Sequence, residues 1–248
     1  MKTIFYFKII LAGIKIEVEC RNSRDFAFCK NYLSAFDSPD FVVRASLDEM
    51  KKAEKELADR FSITDFANKE IRGIENQIIY RKIVEQSINY NTLLVHGSVV
   101  AISGNGYMFT APSGVGKTTR TRIFRDIYPD SIVVNGDKPL IKITSTQAIA
   151  CGTPWCGKEG WNSNTMVPLR AIFLLERADE GENSSIEEVS IGRAFPALLQ
   201  QTYRPDAPDL MKKTLFLLKS LEDKVKIYRF RSTPTEESVR LAYETAKP

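Results

Sequence analysis

The order of apolar and polar positions predicts a β-rich start to the chain. Residues 3–11 and 14–20 are rich in Ile, Phe and Val on either side of Gly13, which is typical of a β-hairpin. A further short strand is expected at 41–43. Residues 47–60 are charged and helix-prone, and indicate an exposed helix or a poorly packed connector.

From residue 71 onward the pattern changes to a mixture of helices and strands. Apolar positions recur over 74–88 at the spacing of one buried helix face. Residues 92–111 are expected to form a strand, a turn at Gly104-Asn105-Gly106 and a second strand. Further helices are predicted over 117–127, 192–201, 207–221 and 234–246, and further strands over 131–134, 140–143, 171–176 and 225–230. We therefore predict a small N-terminal β-rich extension, 1–70, and an α/β domain, 71–248, with a mixed sheet and flanking helices.

Composition indicates a folded globular protein but does not identify a binding partner. The 248 residues are 43% hydrophobic and 27% charged, enough to bury a sizeable core. The net charge of +4 comes from scattered basic residues, so no nucleic-acid partner is expected. Four unevenly spaced cysteines predict a reduced, cytoplasmic protein, and no apolar run is long enough to predict a membrane span.

The segment APSGVGKTT, residues 111–119, fits the pattern of a phosphate-binding P-loop with Ala in place of the usual first Gly. Glycines are needed where the backbone curls so that successive N–H groups face phosphate oxygens, and the following helix adds the positive end of its dipole. Lys117 has the reach for the β and γ oxygens, and Thr118 offers a hydroxyl to Mg²⁺. The predicted nucleotide-binding residues are Ser113, Gly114, Val115, Gly116, Lys117, Thr118 and Thr119.

Two further side chains are candidates for chemistry. Asp137 follows the next apolar strand, 20 residues after Lys117, where a carboxylate holds a metal ion or takes a proton; a lone Asp there also suits a plain turn. His96 is the single histidine, and by itself a strand histidine fits a packed or surface group as well as a catalytic one.

The segments LLVHGSVVAI, GYMFTAPSGVGKTT and IVVNGDKPLI together resemble the catalytic domain of bacterial HPr kinase/phosphorylase and, more distantly, phosphoenolpyruvate carboxykinase. The resemblance covers about residues 90–145, and the stretches GTPWCGKEGWNSN and QQTYRP are similar to HPr-kinase-like proteins described as serine kinases. It implies a P-loop kinase fold for 71–248. It also implies that His96, Lys117 and Asp137 are catalytic, and that Thr118 and Asp137 hold the metal.

The implied activity is transfer of the γ-phosphoryl group of ATP, or of another nucleoside triphosphate, to a hydroxyl, with Mg²⁺ as cofactor. The implied acceptor is a serine of a protein or peptide. Because the related kinases are often oligomers, a homo-oligomer is also possible for this chain. Those families have two consecutive acidic residues where this chain has Asp137 and then Lys138. A nucleotide-binding accessory protein without catalysis is therefore the alternative, with small-molecule phosphotransfer as a third.

The stretch 152–164 combines charges and tryptophans between glycines, and is either a loop that closes over a ligand or a structural loop. Arg170, Arg193 and Arg204 are candidates for neutralising phosphate or an acidic acceptor.

Overall fold

The computed structural model describes residues 4–60, 73–179 and 182–248. The chain divides into two compact units, Met1–Ser87 and Ile88–Pro248. The predicted boundary at residue 70 lies outside the described residues, so the division into 1–70 and 71–248 stays a prediction.

The first unit contains a three-stranded sheet. The strands β1 (Phe5–Leu11) and β2 (Ile14–Cys20) are antiparallel, and β3 (Phe41–Arg44) lies parallel beside β2. The hairpin turn is present at Ala12 and Gly13, both with positive φ. Along β2 every second side chain is buried, as the alternating sequence requires of a sheet with one covered face. The elements are β1 Phe5–Leu11, β2 Ile14–Cys20, α1 Ser23–Phe28, a 3-10 turn Lys30–Tyr32, β3 Phe41–Arg44, α2 Leu47–Arg60 and α3 Ile74–Asn89.

The second unit is built on a curled mixed sheet with helices, which confirms the predicted α/β class. The elements are β4 Thr92–Leu94, β5 Ser98–Ile102, β6 Asn105–Thr110, α4 Lys117–Ile127, β7 Ile132–Asn135, β8 Leu140–Ile143, β9 Ala148–Cys151, β10 Met166–Glu176, β11 Ser185–Glu188, α5 Ile191–Gln201, α6 Pro208–Lys219, β12 Lys226–Arg231 and α7 Glu236–Ala246. The strands run in the order β4-β8-β9-β10-β6-β5-β7, and β12 pairs with both β10 and β11.

One long strand, β10, connects the two parts of this sheet. Its first residues, Met166–Pro168, pair antiparallel with β9, and its remainder lies between β6 and β12, parallel to both. Helices α5 and α6 pack on one face of the sheet, and α4 and α7 on the other. Because both faces are covered, β5 and β6 are almost continuously buried rather than alternating.

The predicted hairpin over 92–111 differs from the structure in two places. Its first strand is broken into β4, which pairs with β8, and β5, which pairs with β6 and β7. The break lies at Gly97, where an added Cβ would be 2.6 Å from Met108 Cε. The turn is made by Ser103 and Gly104, both with positive φ, and Asn105 already belongs to β6.

Segment 47–60 forms the helix α2, which was one of the two alternatives that its charged, helix-prone sequence left open. The sequence predicted no element at α1, β9 or β11, which are short and depend on neighbouring strands or helices. Within residues 4–60, 73–179 and 182–248, no helix has the length and apolar character needed to cross a membrane.

Candidate active site

The glycine-rich segment 111–118, called the glycine loop from here on, joins the end of β6 to the start of α4. Gly114 has a φ of 85° and Gly116 a φ of 99°, so both occupy the left-handed region that favours glycine. At Gly116 an added Cβ would also lie 2.9 Å from Arg120 Nη1. The loop therefore curls at its two glycines directly before the helix, as the sequence predicted.

A buried arginine ties the glycine loop to the end of β12. Arg120 is fully buried and donates to the carbonyl of Val115 at 3.0 Å and to the carbonyl and hydroxyl of Ser232 at 2.8 and 2.7 Å. Burial lowers the pKa of its guanidinium to about 10. The role of this arginine was not predicted, because an arginine in a polar helical segment is expected to be exposed.

Lys117 folds back over the glycine loop. Its Nζ donates to the carbonyl oxygens of Ala111 at 2.8 Å and Pro112 at 3.2 Å. Burial lowers the pKa of the ammonium, and the nearby Asp137 carboxylate opposes that change. The ammonium is thus hydrogen-bonded at the base of the loop and lies within electrostatic range of Asp137.

The break between β4 and β5 brings His96 to Asp137, which lies two residues beyond β7. His96 Nε2 is 3.2 Å from Asp137 Oδ1, and the Gly97 N–H donates to the Asp137 carbonyl at 2.9 Å. The hydrogen bond from His96 is the main cause that lowers the pKa of Asp137; the charges of His96, Lys138 and Lys117 act in the same direction, and burial opposes them. Asp137 is therefore an ionised carboxylate at neutral pH.

The other side of the His96 ring faces the end of α5. Nδ1 lies 2.9 Å from Gln201 Oε1, and the His96 N–H donates to the Gln201 carbonyl at 2.7 Å. Because an ionised Asp137 only accepts hydrogen bonds, Nε2 carries the proton that faces it. The sequence does not predict this contact for Gln201, which lies within the stretch QQTYRP.

Asn135, at the end of β7, shapes the turn that presents Asp137. It is fully buried, and its Oδ1 accepts from the backbone N–H groups of Asp137 at 2.8 Å and Lys138 at 2.7 Å. Its amide nitrogen donates to the carbonyl and hydroxyl of Thr153, both at 3.0 Å, and to the Trp155 carbonyl at 3.3 Å. This role of Asn135 was not predicted either, because an Asn before a Gly is typical of an ordinary turn.

The stretch 152–164 supplies the wall opposite the glycine loop. Trp155 is buried, whereas Trp161 lies beneath the guanidinium groups of Arg122 and Arg125, 5.8 and 4.9 Å from the ring centre. Glu159 pairs with Arg122 at 3.6 Å. The wall is thus anchored by one tryptophan and attached to α4 by the other.

Together these segments enclose a cavity of about 550 Å³, called the loop cavity from here on. Among the residues predicted for the site, it is lined by His96, Ser113, Gly114, Gly116, Lys117, Thr118, Thr119 and Asp137. The side chain of Val115 packs instead against the aromatic core beside α4. Arg170 donates to the Ala246 carbonyl and Arg193 pairs with Glu187, so these two arginines are engaged elsewhere.

The fold and site define a mixed α/β protein with a polar cavity where β6 and β7 end. The family model described as SynChlorMet cassette protein ScmC matches residues 61–202, more than half of the chain. The chain belongs to this family. No curated protein matches the chain.

Among solved structures, the HPr(Ser) kinase/phosphatase from Coxiella burnetii is similar over 52% of this chain and 87% of that one. The sequence identity is 13% and the TM-score is 0.29. The kinase and phosphatase activities in that name belong to the Coxiella protein.

Proposed function

We propose that this protein is an ATP- and Mg²⁺-dependent kinase that transfers the γ-phosphoryl group to a serine hydroxyl of a protein or peptide. The observation that carries the proposal is the convergence, in one cavity, of the glycine loop, Lys117 and the pair formed by His96 and Asp137. Phosphoryl transfer requires mainly positioning and charge stabilisation, and these groups supply both.

The triphosphate would bind at the glycine loop. Its backbone curls at Gly114 and Gly116, and α4 begins at Lys117, so N–H groups and the helix dipole favour an anion there. Lys117 now donates to two carbonyls of its own loop, and a phosphate oxygen would offer it a stronger, charge-assisted partner.

The residues present fit a magnesium ion that is shared with phosphate. Thr118 is exposed at the start of α4 and lines the same cavity as Asp137, so a hydroxyl and an ionised carboxylate are available as hard oxygen ligands. No group of three or more His, Cys, Asp or Glu side chains in the described residues could hold a metal alone, so phosphate oxygens would complete the set. When bound, Mg²⁺ neutralises charge on the β and γ oxygens.

In the proposed step, the acceptor oxygen bonds to the γ-phosphorus, the bond to the β,γ-bridging oxygen breaks, and ADP leaves. The hydroxyl proton passes to the Asp137 carboxylate. The lowered pKa of Asp137 makes it a weak base, which suits a loose transition state in which proton transfer comes late. His96 orients this carboxylate through the proton on Nε2.

The test is transfer of labelled γ-phosphate from ATP to serine peptides. We expect Lys117→Ala and Asp137→Asn each to lower the rate by at least about a hundredfold. Matched controls are Lys212→Ala and Asp209→Asn, which alter exposed side chains of α6 and should leave the rate unchanged. Undiminished transfer by Lys117→Ala would refute the assignment.

A nucleotide-binding accessory role is the second candidate, because the cavity is poor in free carboxylates. Its acidic lining residues are Asp137 and Glu159, and Glu159 already pairs with Arg122. Lys138 follows Asp137 where a second acidic residue would strengthen metal binding. Calorimetry separates the two functions: ATP binding that depends on Lys117, with no transfer to any peptide or small hydroxyl compound, would favour the accessory role.

A further inference from the structure

A second cavity, of about 310 Å³, lies at the base of the glycine loop on the side of α5. Its floor is the carboxyl ends of the parallel strands β6, β10 and β12, and α5 covers it with Ala197 and Gln201. Ligands of α/β proteins bind beyond the carboxyl ends of such strands. We call it the α5 cavity.

Three residues that line the α5 cavity are hydrogen-bonded to His96 or Lys117, which take part in the proposed phosphoryl transfer. Gln201 meets His96 Nδ1 at 2.9 Å, and the Thr110 hydroxyl donates to the His96 carbonyl at 2.7 Å. The carbonyl of Ala111 accepts from Lys117 Nζ at 2.8 Å. An occupant of the α5 cavity would therefore lie next to the position of the γ-phosphate.

The lining of the α5 cavity is mainly apolar and its charges are paired. Leu174, Val189 and Ala197 contribute aliphatic surface. The two arginines that line it are paired with glutamates, Arg193 with the exposed Glu187 and Arg229 with Glu176, a lining residue of the same cavity, each at 2.6 Å. An anionic phosphate gains little from such a site, whereas an apolar group gains from leaving water.

Resting on the proposed kinase function, we propose that the α5 cavity binds an apolar side chain of the acceptor peptide, at the position next to the phosphorylated serine. The volume lies at the low end for ligand pockets, about 300 to 1,000 Å³, and suits one side chain rather than a nucleotide. Neighbouring Cα atoms are about 3.8 Å apart, so a serine at the γ-phosphate places its neighbour within reach.

A nucleobase does not suit the same location. Ribose and two further phosphates separate the base from the γ-phosphorus, whereas the α5 cavity adjoins His96 and Lys117 directly. The acceptor oxygen, in contrast, must approach to about 3 to 3.5 Å before transfer. Gln200, exposed on α5 at the rim, has an amide that suits the backbone of an extended peptide.

The binding test uses the full chain with labelled Leu and Val methyl groups. We expect the methyl signals of Leu174 and Val189 to shift with N-acetyl-Ser-Leu-amide, and not with N-acetyl-Ser-Asp-amide or adenosine. Ala197→Trp fills the cavity and should abolish the shifts, and Ala207→Trp, an exposed alanine, should keep them. Shifts from adenosine, or none from the leucine probe, would overturn the inference.

The kinetic test uses serine peptides that differ only in the neighbouring residue. We expect kcat/KM to be at least about tenfold higher for Leu or Phe than for Asp, and Ala197→Trp to remove this preference with the affinity for ATP unchanged. The smaller Ala197→Leu serves if the tryptophan variant does not fold. Equal rates for all neighbours would refute the inference. If no peptide is phosphorylated, the proposed function fails, and the methyl shifts still decide what the cavity binds.

Discussion

Replacing Asn135 by alanine should weaken both the stability of the protein and the site. The side chain is fully buried, accepts from two backbone N–H groups and uses its amide nitrogen towards Thr153 and Trp155. Alanine removes these bonds and leaves buried polar groups without partners. Because the amide nitrogen has two hydrogens, at most two of its three contacts and the two to Oδ1 form at once, which makes four bonds. At a net 0.5 to 1.5 kcal/mol each they amount to about 4 kcal/mol, and some water access near the half-buried Asp137 reduces the loss to about 3 kcal/mol.

The assay is thermal unfolding followed by circular dichroism, together with γ-phosphate transfer. A loss of about 3 kcal/mol corresponds to a fall in Tm of about 6 to 12 °C for a chain of this size. Transfer should fall at least about tenfold at temperatures where the variant is folded, because the turn no longer holds Asp137 against His96.

The matched control is Asn105→Ala, which removes one exposed hydrogen bond to the Ser103 carbonyl and should change Tm by less than about 3 °C. A Tm for Asn135→Ala within about 2 °C of the unaltered protein would refute this reasoning. It would mean that water replaces the amide and that the turn does not depend on it.

Three further substitutions test other parts of the structure. Gly152→Ala would place a Cβ 1.8 Å from the Ser163 carbonyl oxygen, so we expect a protein that is insoluble or melts at least about 10 °C lower, measured by yield and Tm. Gly116→Ala should weaken ATP binding, measured by calorimetry, by more than about tenfold, and Gly114→Ala should weaken it less. Both glycines have a positive φ, but only at Gly116 would the added Cβ also crowd a neighbouring atom. Burial raises the pKa of Asp25 to about 6, so its contribution to stability is full below the unfolded pKa and is lost as pH rises through about 6. When the pH is lowered from 7.5 to 5, the unaltered protein should therefore gain about 1.4 kcal/mol more stability than the Asp25→Asn variant gains. This difference corresponds to about 3 to 5 °C in Tm.

The substitutions at Gly152 and Asp25 each have a control that changes the same residue type at an uncrowded or exposed position, and Gly114→Ala is the control for Gly116→Ala. Gly192→Ala, in α5 with no atom closer than 3.9 Å, should leave Tm unchanged or slightly raised. Asp48→Asn changes an exposed residue of α2 and should keep the pH dependence of the parent protein. Equal affinity of the two glycine variants for ATP, or equal pH dependence with Asp25→Asn, would contradict the physical arguments.

Local signals predicted most of the elements that form the site. The strand before the glycine loop, the helix after it and the two curled glycines are consecutive in the chain, so composition and spacing were enough to place them. Asp137 was recognised because it follows an apolar strand. The break at Gly97 was not predicted, because the crowding there comes from Met108 on a neighbouring strand, which the local sequence does not reveal.

Tertiary structure decided which distant residues meet. Gln201 reaches His96 across 105 residues, and Ser232 reaches Arg120 across 112. These contacts follow from the order of strands in the mixed sheet, and pairing between distant strands leaves no periodic signal in one sequence. The sequence by itself determined the loop, its lysine and the candidate carboxylate. Only the folded chain brought His96 to that carboxylate, placed Gln201 behind it and opened the α5 cavity beside them.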